Sequence, residues 1–117
     1  MNAVLSALEA DGCSISKGFE TFNVEEDLYL SRLKMFAEND IPSKLNDAYF
    51  RCDLNKLRSY SCSLTHILFN LGLMSLYYLN ESLLASVCSG RLSELDSLMP
   101  QFMAAHSRYV NIVLSAS

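Results

Sequence analysis

The chain is expected to fold as an all-α protein, an antiparallel up-down four-helix bundle with additional N-terminal helices. Three observations carry that expectation. Apolar residues recur at steps of three and four along most of the 117 residues, and strand-like alternation is nearly absent. Glycine (4) and proline (2) are scarce and fall where helices need ends. The last four periodic segments are joined by only two to four residues, which makes neighbours double back on one another. A chain of this length forms one domain, residues 1–117.

Residues 2–10 read as a short first helix closed by Asp11-Gly12, followed by a polar connector over 13–20. Asn23 is the expected N-cap of the next helix, whose first turn holds Glu25, Glu26 and Asp27 against the positive end of the helix dipole. That helix is expected to bury Leu28, Leu33 and Phe36, with Tyr29 and Met35 on its flanks, and to run toward Asn39. Pro42 disfavours helical geometry at Ile41, so a restart is expected there, with a helix over 42–51 presenting Leu45, Ala48 and Tyr49.

Asp53 then caps a helix over 54–71, and Gly72 terminates it in a left-handed conformation. Its inward spine is Leu54, Leu57, Ser61, Leu64, Leu68 and Leu71, at steps of 3, 4, 3, 4 and 3. Residues 75–88 follow, with Leu76, Leu79, Leu83 and Val87 inward and Ser89-Gly90 as the stop. The last helix, 92–114, carries Leu95, Leu98, Phe102, Tyr109 and Ile112, with Pro100 as a bend or local defect.

The composition, 50% hydrophobic with 19% charged residues, is that of a compact chain. The longest apolar run, 67–79, is broken by Asn70, Gly72 and Ser75 and falls short of the ~20 residues a span needs, so no membrane association is expected. The first residues lack a basic region and include Glu9 and Asp11, unlike a secretion signal, which makes a cytoplasmic location the expectation. A net charge of −4, with 9 dispersed Lys and Arg, argues against nucleic acid as a partner. Cys13, Cys52, Cys62 and Cys88 stand 39, 10 and 26 apart, without zinc-site spacing, and are expected as reduced thiols, most of them filling the core.

Chemistry-bearing residues gather opposite the spine of the 54–71 helix. Asn55, Arg58, Ser59, Cys62, His66 and Phe69 recur at helical spacing on one outward stripe. Cys62 and His66, at i and i+4, can touch, but a single helix surface offers no oxyanion hole, and two ligands are too few for a specific metal. Neither an enzyme nor a bound metal or cofactor is expected. His106, between Phe102 and Tyr109, reads as a half-buried, hydrogen-bonded histidine, and Tyr77-Tyr78 as core and flank packing.

Across residues 19–114 the chain resembles the histidine-containing phosphotransfer (HPt) domains of phosphorelays. The resemblance is carried by Leu28-Tyr29, Phe36, Asp53-Leu54, Leu57, Ser63-Leu64, Leu71-Gly72, Leu76 and Leu83, and by the order and lengths of the helices. It implies a bundle that docks receiver domains and relays phosphate through one exposed histidine. The family motif His-Ser-Leu-Lys-Gly is replaced here by Cys62-Ser63-Leu64-Thr65-His66, so Cys62 takes the phosphoacceptor place. A thiol forms a thiophosphate only when ionised, and an ordinary thiol, with a pKa of ~8.5, is mostly protonated at neutral pH. The family's lysine is Thr65, which removes a cation for phosphoryl oxygens, and its glycine is His66, which adds bulk on the docking face.

The resemblance therefore implies an HPt-like module of two-component signalling. It would bind a response-regulator receiver domain or hybrid sensor kinase through Arg58, Ser59, Cys62, Thr65, His66 and Phe69, without standard phosphotransfer. Two alternatives stand beside it: phosphotransfer through a shifted acceptor, His66, and a helical scaffold or inhibitor with no receiver partner.

Overall fold

The computed structural model describes residues 3–15 and 26–115. Among these the chain forms α1 (Ala3–Ala10), α2 (Glu26–Ala37), α3 (Ile41–Phe50), α4 (Leu54–Leu71), α5 (Met74–Ser89) and α6 (Leu95–Ser115), with a 3-10 turn at Leu92–Glu94 and no strand. The expected Asn23 cap lies outside the described residues. No described helix is long and apolar enough to cross a membrane.

Local chemistry sets the helix ends. Pro42 sits in the first turn of α3, where its missing N–H costs nothing, and the Asn39 carboxamide accepts from Ile41 N at 2.8 Å. Gly72 (φ 73°) and Gly90 (φ 77°) close α4 and α5 in the left-handed region. The chain stays helical through Pro100, which has no N–H to offer the carbonyl of Asp96.

Packing holds the elements together. Phe69 meets Tyr77 and, one turn back, Thr65 meets Glu81, so α4 and α5 run in opposite directions. α4 also packs on α3, while α6 lies against α5, α2, α3 and α1 and buries Leu95, Met99, Phe102, Ala105, Tyr109 and Val113. The N-terminal segment is clasped by three contacts, two from the α4–α5 junction and one from α6. Ser14 N donates to Gly72 O (2.7 Å), Ser75 Oγ to Asp11 O (2.9 Å), and Arg108 pairs with the Asp11 carboxylate (3.1 Å).

The inward faces differ from expectation at several positions. Tyr29, expected on a flank of α2, is fully buried, and Leu28 is 43% exposed. The inward line runs Tyr29, Leu33, Phe36, and the Tyr29 hydroxyl donates to Leu71 O at 2.6 Å, which satisfies a carbonyl at the end of α4. Leu54, at the first turn of α4, stands outside the spine at 39% exposure. On α5 the buried line is Leu76, Asn80, Leu83 and Ser86, while Leu79 and Val87 are half-buried. The two polar side chains are interior because each has a partner, Ser61 for Asn80 and the Glu94 carboxylate for Ser86. On α6, Val113 takes the buried place expected for Ile112, which is half-buried.

The cysteines are also placed differently. Cys52, Cys62 and Cys88 are exposed and Cys13 is half-buried, all with free thiols. Only Cys13 packs against the core.

Candidate functional site

Helix α4 is fixed at both ends before its outward face matters. Cys52, at φ 56°, turns the chain sharply out of α3, and the Asp53 side chain accepts from Lys56 N at 3.1 Å. Such a cap contributes about 1 kcal/mol. Burial of Leu57, Leu64, Leu68 and Leu71 contributes roughly 1.5–3 kcal/mol per side chain, so packing holds the helix and the cap decides where it starts. At the far end, Gly72 N donates to Leu68 O and Phe69 O.

Its rotation is set by a buried amide. The Ser61 hydroxyl donates to Asn80 Oδ1 at 2.8 Å, and Asn80 Nδ2 donates to Ser61 O (3.0 Å) and Thr65 Oγ1 (3.2 Å). Thr65 Oγ1 also lies 3.2 Å from Ser61 O and 3.4 Å from Glu81 Oε1, and its single proton serves one of them. Asn80 and Ser61 are fully buried.

With that face turned inward, Asn55, Arg58, Ser59, Cys62 and His66 are exposed. At about 100° per residue, His66 points directly away from the spine, whereas Arg58, Thr65 and Phe69 lean toward α5. The expected partner-facing set therefore divides. Thr65 is half-buried and engaged by Asn80 and Glu81. Phe69, 39% exposed, packs against Tyr77 of α5 at 5.4 Å between ring centroids, and Tyr77 continues to Tyr78 at 5.6 Å. Tyr78 is a surface residue, 63% exposed, in place of the packing residue expected. Among the described residues Arg58 has no ion pair, and no group of three or more His, Cys, Asp and Glu could hold a metal.

Two grooves flank this face, neither apparent from residue spacing. One, of about 320 Å³, lies between α2 and α4, with Phe36, Ile67 and Leu71 as its apolar floor and Arg32, Asn39 and Asn70 at its rim. The other, also about 320 Å³, lies where the α3–α4 turn meets the 3-10 turn, walled by Tyr49, Leu54, Leu57, Leu92 and Leu95.

His106 is half-buried as expected, but its Nε2 is buried without a hydrogen-bond partner among the described residues. The ring meets Phe36 edge-on at 6.1 Å, and burial pushes its pKa below the usual histidine value. Burial, with the Asp11 carboxylate nearby, pushes the Cys13 thiol up to about 12.

No family model, no curated protein and no solved structure matches the chain.

Proposed function

We propose that the chain is an HPt-like signalling module of a two-component phosphorelay, acting in the cytoplasm and binding response-regulator receiver domains or the receiver of a hybrid sensor kinase. In this reading α3 to α6 are the antiparallel four-helix bundle, α1 and α2 are the additional N-terminal helices, and the outward face of α4 is the docking surface. The observation that supports it is the position of Cys62, exposed near the middle of α4 at the place the resemblance gives to the phosphoacceptor, with Arg58 and His66 exposed one turn to either side.

Docking and transfer make different demands on that face. Docking needs exposed polar and apolar surface, which Ser59, Cys62, His66 and Phe69 provide. Transfer needs a nucleophile in line with an aspartyl phosphate and a cation for its oxygens. At the family's lysine position stands Thr65, an uncharged side chain engaged with Asn80 and Glu81. Binding without standard phosphotransfer is the function that follows.

The test is incubation with a receiver carrying a labelled aspartyl phosphate, with binding measured in parallel by calorimetry. Complex formation without label on the chain is the expected outcome. Base-stable, acid-labile label that persists in Cys62→Ser and disappears in His66→Ala would establish transfer through His66 instead. Failure to bind any receiver of the source organism would leave the scaffold or inhibitor reading.

A further inference from the structure

The groove between α2 and α4 has an apolar floor and a donor-bearing rim. Phe36 and Leu71 are buried beneath it, Ile67 is half-buried, and exposed Met35 forms part of its wall. The rim carries the Arg32 guanidinium and the carboxamides of Asn39 and Asn70. Asn39 Oδ1 already accepts from Ile41 N, which leaves its two Nδ2 hydrogens to donate. Among the described residues the Asn70 side chain has no hydrogen bond, and Arg32 is in none of the ion pairs; its polar contact is Met35 Sδ at 3.8 Å.

No carboxylate lines this groove, although the chain as a whole carries −4. Of the acids nearest in sequence, Asp40 is held by Lys44 at 3.4 Å. Glu38 keeps its helical bond to Lys34 O, which sets it about 120° around the axis from Arg32. The groove therefore offers one cation and spare N–H donors above a strip of hydrocarbon.

We propose that it binds a free medium-chain fatty acid, with the carboxylate on Arg32 and the chain lying along Phe36, Ile67 and Leu71. One guanidinium matches one carboxylate, two N–H groups to two oxygens, whereas a phosphate dianion calls for a second cation. Arg32 and Asn39 stand at the two ends of the α2 wall, about 10 Å apart along the axis, which is room for an extended chain of about eight carbons. The volume of about 320 Å³ lies at the small end of the range for ligand sites, so it selects a short chain over a long-chain lipid or a dinucleotide.

Amide NMR of the full chain titrated with sodium octanoate to about 20 mM tests this, because a ligand of ten heavy atoms is expected to bind with a dissociation constant on the order of 1 mM. The expected result is saturable shifts confined to the amides around Arg32, Asn39, Ile67 and Asn70. Hexanoate, two methylenes shorter, should bind about tenfold more weakly. Octan-1-ol, which lacks the charge, should also lose about tenfold, as should octanoate on Arg32→Gln. Asn70→Asp, which sets a like charge on the rim, repeats the test on α4, and Lys34→Gln, on the far side of α2, should change nothing. The same spectra report whether each variant is folded. Absence of saturable binding, shifts centred elsewhere, or affinity that neither rim variant lowers overturns the proposal. The measurement uses no receiver, so its outcome is separate from that of the docking reading.

Discussion

Asn80 of α5 holds Ser61 of α4 at both ends of its amide, accepting from the serine hydroxyl and donating to the serine carbonyl. Both residues are fully buried, so here the rotation of α4 is fixed by direction and not by apolar fit alone. Cys62 follows Ser61 directly, and the outward direction of the candidate face depends on this grip.

Replacing Asn80 by Leu removes the amide and leaves the Ser61 hydroxyl buried without its partner. The expected loss is about 2–4 kcal/mol of unfolding free energy, most of it the desolvation of the stranded hydroxyl and the lost bond to Thr65. Adding Ser61→Ala should return part of that loss, because two apolar groups then meet. Urea unfolding of the three variants measures the coupling, and strict additivity would show that the two residues do not act together.

His106 should make the protein sensitive to mild acid. Burial lowers its pKa in the folded state, so below about 6.5 the unfolded chain takes up a proton that the folded chain refuses. Its contribution to stability is present above pH 6.5 and is lost as pH falls from there through the lower folded value. His106→Phe should flatten the fall in unfolding free energy between pH 7.5 and 5.5 and leave stability at pH 7.5 unchanged or higher. An unaltered acid limb in that variant would place the sensitivity elsewhere.

The thiols should divide three to one. Cys52, Cys62 and Cys88 are exposed and should react promptly with a disulfide reagent at pH 8, while half-buried Cys13 should react more slowly, as the N-terminal segment opens. Because the half-buried Cys13 thiol holds its proton up to about 12, well above an ordinary thiol, its stabilising effect is complete below the ordinary thiol range and declines as pH rises toward 12. Unfolding of Cys13→Ser at pH 8 and pH 10 should show a smaller alkaline loss than the parent protein.

Much of the fold was legible in the sequence because helix ends have a chemistry of their own. Asp53, Gly72 and Gly90 stop and start helices through one local hydrogen bond or one left-handed residue, and residue type reveals both. The buried faces were less legible. Leu28 and Tyr29 are adjacent and both apolar in bulk, and only the Leu71 carbonyl at the end of a helix 42 residues away decides that the tyrosine turns inward. Asn80 and Ser86 were missed because a polar residue in an amphipathic pattern reads as solvent-facing until its partner is known. At the candidate site, periodicity alone placed Cys62 and His66 outward, whereas the engagement of Thr65 and Phe69 with α5 is set by tertiary packing.

The clasp on the N-terminal segment has a kinetic meaning. Ser61 and Asn80 are 19 residues apart and meet when a single hairpin of two helices forms, whereas Arg108 and Asp11 are 97 apart and must close a much longer loop. Helix α1 is therefore expected to join last and to detach first, as a sub-global opening in which the α4–α5 pair stays intact. Native-state hydrogen exchange should show α1 amides exchanging well ahead of those around Ser61. The outward surface of α4 would then outlive the N-terminal strap, keeping its shape through the commonest excursions of the chain from its native state.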